Sequence, residues 1–184
     1  MKKLFLTLAF SFICLFAYAA SPVTYYFNAY DSGGEEWTTD PENMVDGSIS
    51  TYAYLYSGSP SAEVQLLTGN TCDGTNLGTI TKVELRIWGV IESNPLKLRP
   101  IFSGGDGDDH LLTDYLDYDW TDYVDITSDT NSPETWSWAN VQALNCDVDG
   151  EWTYEGGELS VTKVEIRVTY TGGAAARRRI IMVE

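Results

Sequence analysis

Two short acidic loops carry carboxylates at a spacing that could bind a metal ion. Their acids are Asp106, Asp108 and Asp109 in SGGDGDDH, and Asp147, Asp149 and Glu151 in CDVDGEW. Alternating carboxylates beside a glycine match the opening of a calcium loop, because calcium takes several hard oxygen ligands. Neither loop keeps the full EF-hand spacing, which needs a glycine at its sixth position. We predict Asp106, Asp108, Asp147 and Asp149 as candidate calcium ligands, with solvated turns as the alternative.

Catalysis has weaker support. His110, the single histidine, stands beside Asp109, but no serine or cysteine motif accompanies it as a nucleophile. Paired carboxylates could hydrolyse a glycosidic bond, yet 27 acidic residues in 184 single out no pair. The sequence therefore favours a protein that is not an enzyme. A carbohydrate-active enzyme is the third of three possible functions, after the two given at the end of this section.

Aromatic residues are the stronger candidates for ligand binding. The chain has six tryptophans and twelve tyrosines. A flat exposed ring can stack on the apolar face of a sugar, and an exposed aromatic patch is a binding surface for sugar or protein. The alternative is that these rings cap the core. The candidate ligand-binding residues are Trp88, Trp120, Trp136, Trp138 and Trp152.

Two similar segments indicate which elements position these residues. ITKVELRIWG occupies 80–89 and VTKVEIRVTY occupies 161–170. In both, aliphatic residues alternate with charged ones, which is typical of an antiparallel strand with one solvated face. We predict that the two segments are long, central, neighbouring strands whose outer Lys, Arg and Glu side chains pair across strands. Trp88 lies on the solvated face of this pattern.

The rest of the chain predicts an all-β fold. Further strand-like runs occupy 23–29, 52–56, 62–67, 96–102, 122–127 and 141–148, and glycine-rich and aspartate-rich turns separate them. Only 137–144 could form a short turn of helix. Several short strands at this spacing predict a two-sheet antiparallel β-sandwich of jelly-roll topology.

The first twenty residues predict export. Two lysines precede an apolar run at 4–16, and small residues follow it in AYAAS, as in a secretory signal peptide. The run is shorter than the roughly 20 residues that a membrane span needs, and no other stretch is long enough. We predict a signal peptide at 1–20, a domain at 21–171, and a secreted, extracellular or periplasmic location.

Export and charge lead to two further predictions. Cys72 and Cys146 remain after removal of the signal peptide, and cysteines in an exported chain most often form a disulfide; buried free thiols are the alternative.

The net charge of −16 repels phosphate backbones, so we expect no nucleic-acid partner. It also attracts divalent cations.

The stretch NMVDGSISTY at 43–52 resembles the Asp-Gly turn of galactose-binding-like (discoidin-type) jelly-roll domains. The strand at 164–168 likewise resembles their last strand, which often carries a glutamate. More loosely, the chain is similar to jelly-roll surface proteins of phages and environmental microbes. The discoidin-type resemblance implies a structural calcium ion held by Asp46, Thr51 and Glu165. The alternative is an Asx turn at Asp46.

The tail at 172–184, with its sequence GGAAARRRIIMVE, departs from the strand pattern. It could be an assembly strand or a basic anchor that supports self-association, or a frayed terminus. Together these features predict a secreted, non-catalytic binding or adhesion module for carbohydrate or another cell-surface component. A structural subunit of an extracellular or virion-like assembly is the alternative.

Overall fold

The computed structural model describes residues 22–33, 37, 39–55, 63–92, 95–113, 115–150 and 158–172. The predicted signal peptide and the tail beyond Gly172 lie outside these residues. Among the described residues, no helix reaches the length and hydropathy that a bilayer crossing requires.

The described chain forms eleven strands, one short α-helix and one 3₁₀ helix. The strands are β1 Val23–Tyr30, β2 Ala53–Leu55, β3 Glu63–Asn70, β4 Gly78–Ile91, β5 Leu96–Phe102, β6 Gly105–Asp106, β7 His110–Leu112, β8 Leu116–Trp120, β9 Val124–Asp125, β10 Asn145–Gly150 and β11 Leu159–Gly172. The helices are the 3₁₀ helix Pro41–Met44 and α1 Trp138–Gln142. The predicted all-β class is confirmed.

All strand pairings are antiparallel, and the order across the sheet is β6-β5-β10-β3-β1-β11-β4-β8. In addition, β2 pairs with β11, β7 with β5 and β9 with β4. Strand β1 joins the two halves of this sheet. Its residues 23–26 pair with β11, while residues 27–30 pair with β3. We call the side with β11 and β4 the first half and the side with β3, β10 and β5 the second half.

The two similar segments lie side by side, as predicted. Residues 80–89 belong to β4, residues 161–170 belong to β11, and the strands pair from Leu159↔Ile91 to Gly172↔Gly78. Antiparallel pairing relates the two copies by an approximate twofold axis. Leu85 therefore faces Ile166, and Glu84 of one copy faces Arg167 of the other. The repetition of the sequence thus supplies each glutamate with an arginine from the other copy.

Both halves of the sheet contribute to one core. Leu85 and Ile166 from the first half and Leu98 and Val148 from the second belong to the same fully buried cluster. A side chain on Gly150 of β10 would collide with Leu55 of β2 and Leu159 of β11. Side chains of both halves therefore meet in this core, with β10 close to β2 and β11 at Gly150.

Some element boundaries differ from the prediction. The run at 122–127 forms strand only at Val124–Asp125, and β6, β7 and β8 were not predicted. The run at 141–148 is strand only from Asn145, because α1 occupies its start. Ser137 begins this helix: its hydroxyl accepts from the Asn140 N–H while the Asn140 side chain accepts from the Ser137 N–H. Such a capping box fixes the start of the helix, and α1 lies within the short turn of helix predicted at 137–144.

The predicted Cys72–Cys146 disulfide is wrong in this structure, where both cysteines are buried free thiols. Cys146 of β10 lies opposite Leu67 of β3, and Cys72 is five residues further along the chain. At about 3.4 Å per residue, the strand from Leu67 to Asn70 leads roughly 10 Å away from the position opposite Cys146. Bridged cysteines have Cα atoms within about 7 Å, so this strand register opposes the bond.

Candidate functional site

The outer face of the first half carries a pair of tryptophans. Trp88 of β4 lies directly opposite Trp120 of β8. Their ring centroids are 5.4 Å apart, with an edge-to-face angle of 75°. Both side chains are half-buried. The structure thus brings together two of the five predicted ligand-binding tryptophans.

The indole N–H groups separate these tryptophans from the structural ones. Trp37, Trp136 and Trp138 donate their N–H groups to carbonyl oxygens of Val148, Thr127 and Gly78, respectively. The indole nitrogens of Trp88 and Trp120 have no acceptor among the described residues and are not among the buried unpaired atoms. Both N–H groups are therefore unpaired among the described residues and not fully buried.

Arginine side chains support the aromatic rings from one side. The Arg86 guanidinium lies 3.8 Å from the ring centre of Trp120 and 4.4 Å from that of Tyr123. Arg167 lies 3.6 Å from the Tyr123 ring centre. A cation over an aromatic face is attracted by the ring quadrupole, and burial raises the pKa of the Tyr123 phenol. The rings are thus held in place before any ligand arrives.

The same arginines form the ion pairs of the repeated strands. Arg86 donates to Glu165 at 2.8 and 3.0 Å, and Arg167 donates twice to Glu84 at 2.7 Å. Glu84 is almost fully buried, and the hydrogen bonds from Arg167 lower the pKa of its carboxyl. This confirms the predicted cross-strand pairing and gives the aromatic surface a rigid base.

A cavity of about 360 Å³ opens beside Trp120. Its wall is mainly apolar, and three polar side chains also line it. The lining residues are Leu111, Leu112, Thr113, Leu116, Trp120, Thr121, Asp122 and Val124. Asp122 is exposed and has no hydrogen bond or ion pair with a described residue. An apolar wall with a few polar groups is the usual composition of a small-molecule site.

Three of the four large exposed apolar side chains among the described residues lie at 111–118, the segment that supplies half of the cavity lining. Leu111, Tyr115 and Tyr118 are 53%, 69% and 45% exposed. Tyr118 has a positive φ of 50° where the register between β4 and β8 shifts, and its ring contacts Tyr52. A bulge re-aims the side chain of the extra residue. We call Trp88, Trp120, the cavity and these three exposed residues the Trp120 surface.

Sequence reasoning found Trp120 but missed Leu111, Tyr115 and Tyr118. The signal was present in the stretch DYLDYDWTDY at 114–123, where aspartates and aromatic residues alternate with almost no aliphatic residue. A strand that cannot bury its aromatic side chains against a covering layer presents them to solvent. The turn-like composition of this stretch hid β8 from the prediction.

The other predicted tryptophans do not join the Trp120 surface. Trp136 and Trp138 are buried members of the core and pack edge-to-face on Phe102 and Tyr170. Their edges line a second cleft of about 400 Å³ beside Gly78. Trp152 lies outside the described residues.

At the discoidin-like turn, the carboxyl group of Asp46 already has partners within the protein. It accepts from the Ser48 N–H at 2.7 Å and from the Thr51 hydroxyl at 2.6 Å, which is the Asx turn that was the alternative. Glu165 pairs with Arg86 rather than approaching this turn. A calcium ion at Asp46, Thr51 and Glu165 stays a prediction, and it would require Glu165 to leave Arg86.

The acidic loops also engage protein groups. Asp147 pairs with Arg99 and Asp149 pairs with Lys97, and burial raises the pKa of Asp147 against the effect of Arg99. Asp108 accepts from the Thr130 N–H, and the carbonyl of Asp106 accepts from Asn131. No group of three or more His, Cys, Asp or Glu side chains in the described part of the chain is placed to hold a metal ion. Calcium binding here likewise stays a prediction.

His110 pairs with an aspartate of the segment that follows β9. Its Nε2 lies 2.7 Å from the Asp129 carboxylate, and no serine or cysteine nucleophile contacts this pair among the described residues. The pair joins β7 to the segment after β9.

Comparison with known proteins found no matching family model, no matching curated protein and no matching solved structure. The resemblance to galactose-binding-like domains therefore rests on the residues at 43–52 and 164–168 alone.

Proposed function

We propose that this chain is an exported, non-catalytic binding module that recognises carbohydrate on a cell surface through the Trp120 surface. We propose further that its eleven strands form a two-layer jelly roll, in which the first half carries the ligand site on its outer face. The signal-like sequence at 1–20 supports export.

The observation that carries this proposal is the open hydrogen-bonding capacity of Trp88 and Trp120. The buried tryptophans of this fold donate to backbone carbonyls, whereas the N–H groups of these two have no acceptor among the described residues. A sugar ring has an apolar face for stacking and hydroxyl groups around its edge for hydrogen bonds. A half-exposed indole with a free N–H can satisfy both at once.

The surroundings support the same ligand class. The cavity beside Trp120 offers an apolar wall together with the hydroxyls of Thr113 and Thr121. Thr121 accepts from the Ile87 N–H, which fixes its position and leaves its proton available to a ligand oxygen. Exposed Leu111 and Tyr115 extend the apolar surface beyond one sugar ring, as a binding site for an oligosaccharide requires.

The test is calorimetry or affinity electrophoresis with a panel of soluble polysaccharides and oligosaccharides. For a polysaccharide that binds, we expect Trp120→Ala to weaken affinity about 30-fold, as for a central aromatic anchor. Ile49→Ala removes an exposed apolar side chain that is not part of the Trp120 surface, and we expect it to bind as the wild type does. Equal affinity of the wild type and Trp120→Ala would show that this surface is not the sugar site.

A further inference from the structure

The basic residues of the described chain are all engaged in ion pairs, and this restricts the ligand's charge. Lys82 and Arg167 pair with Glu84, Arg86 and Lys163 with Glu165, and Lys97 and Arg99 with aspartates. These are all six lysines and arginines among the described residues. A sulfated, phosphorylated or uronic sugar would therefore meet no unpaired cation there.

The cavity beside Trp120 contains the opposite charge without a partner. Asp122 lines the cavity, is exposed, and makes neither an ion pair nor a hydrogen bond with a described residue. Thr113 and Thr121 are the other polar side chains of the lining. The site thus combines an aromatic ring, an apolar wall and one unpaired carboxylate.

We infer that the Trp120 surface binds an amino sugar whose ammonium group pairs with Asp122. This rests on the proposed function and specifies its substrate class. A glucosamine unit offers an apolar ring face to Trp120, hydroxyl groups to the threonines and a positive charge to the carboxylate. The charge of −16 on the whole chain also attracts a polycationic oligosaccharide from a distance.

Three matched β-1,4-linked tetrasaccharides test this inference, because they differ only at carbon 2. Glucosamine tetramer carries an ammonium group there, cellotetraose a hydroxyl, and the N-acetylglucosamine tetramer a neutral amide. In a mildly acidic buffer that keeps the amine protonated, calorimetry should show the glucosamine tetramer binding about fivefold more tightly than cellotetraose, as for one exposed ion pair.

Two variants separate the carboxylate in the cavity from general electrostatics. Asp122→Asn should remove most of the preference for glucosamine tetramer over cellotetraose. Asp117→Asn removes an equal charge from the neighbouring exposed strand, outside the cavity lining, and should leave the preference intact. Added salt should reduce the difference between the affinities of the wild type for glucosamine tetramer and cellotetraose. In Asp122→Asn, where little of this difference remains, added salt should change it less.

The outcomes distinguish this inference from the proposed function. Equal affinity for the three tetrasaccharides, or an equal effect of Asp122→Asn and Asp117→Asn, overturns the amino-sugar inference and leaves sugar binding standing. Absence of binding to any saccharide of the wider panel overturns both. An arginine-rich peptide of equal charge is the last control. If it binds as tightly as the glucosamine tetramer and Trp120→Ala does not affect it, the surface recognises charge and not sugar.

Discussion

Replacing Arg167 by methionine tests the ion pairs that support the repeated strands. The Glu84 side chain is 3% exposed and receives three hydrogen bonds, two from Arg167 at 2.7 Å and one from Lys82 at 2.6 Å. Methionine keeps an unbranched apolar side chain next to Tyr123 but removes the guanidinium. The buried Glu84 carboxylate then retains one of its three hydrogen bonds, the one from Lys82.

The expected cost is about 2 kcal/mol. Removing one partner of a fully buried pair costs about 3–5 kcal/mol. Arg167 is 31% exposed and Lys82 stays in place, so the loss lies below that range. For a chain of this size, about 2 kcal/mol corresponds to a fall of roughly 6 °C in melting temperature.

The stability that Arg167→Met loses should depend on pH in a defined direction. The unfolded carboxyl has a pKa near 4.5, and Arg167 lowers the pKa of Glu84 in the folded state. This stabilisation is therefore complete above pH 4.5 and is lost as the pH falls through the lower, folded pKa. In Arg167→Met this contribution is missing, so the difference in stability between wild type and variant should be largest near pH 7 and should shrink in acid.

Urea unfolding followed by tryptophan fluorescence at neutral and acidic pH measures both effects. Arg86→Met is the equivalent change in the other copy of the repeat, and it should cost a similar amount because it leaves Glu165 only two long contacts, with the Tyr123 hydroxyl at 3.5 Å and Lys163 at 3.6 Å. Lys82→Met, at an exposed position, should cost less. The reasoning would be refuted if the free energy of unfolding of Arg167→Met were within about 0.5 kcal/mol of the wild-type value at pH 7, which is the range of ordinary surface substitutions. It would also be refuted if the difference between these two free energies were the same in acid as at pH 7.

Two further predictions concern the core. Gly89→Ala should be destabilised by about 3 kcal/mol in urea unfolding, because the new methyl group would collide with the backbone carbonyl of Ser160. Gly33→Ala, whose methyl group would meet only the Asp31 carboxylate at an ordinary contact distance of 3.4 Å, should unfold like the wild type. Equal stability of both variants would show that β4 and β11 are further apart. Cys72 and Cys146 should react with an alkylating reagent only after denaturation, and the reaction should need no reductant. Both cysteines are buried free thiols, and burial raises the pKa of the Cys146 thiol. If mass spectrometry finds that the denatured protein reacts only after reduction, the two cysteines form a disulfide instead.

The central part of the fold could be predicted from the sequence because it follows one simple rule. At 83–87 of β4 and 164–168 of β11, every second residue is aliphatic, and the sign of the charge alternates along the outer face from Lys82 to Arg86 and from Lys163 to Arg167. A period of two fixes which face is buried, and the matching Glu and Arg positions fix the antiparallel register. The neighbourhood of Glu84 and Arg167 is therefore encoded locally in ten residues of each copy.

The candidate site was only partly predictable, for a physical reason. The alternation of aspartates and aromatic residues around Trp120 hints at exposure, but the local sequence does not show which indole N–H groups have an acceptor, since Trp120 and Trp138 both stand in polar, turn-rich segments. What separates them is a carbonyl acceptor at Gly78, sixty residues from Trp138 in the chain. The partner of an indole N–H depends on tertiary structure, so composition alone could not identify which rings remain available to a ligand.

The disulfide prediction failed for a related reason. The cellular compartment and the number of cysteines indicate how often cysteines form a disulfide, but the distance between the two residues in the fold decides whether they can. The alignment of Cys146 with Leu67 is set by the whole length of β3 and β10, and it places Cys72 beyond reach.

The position of β1 between the halves has a consequence for how the protein is made. Residues 23–26, near the start of the chain, find their partners at 165–168, close to its end. The longest pairing, between β4 and β11, also waits for the last strand. Loop closure on this scale is slow, and neither pairing can form before residues 159–172 have been synthesised. Chains that stop before β11 would expose one unpaired edge on β4 and another on β1.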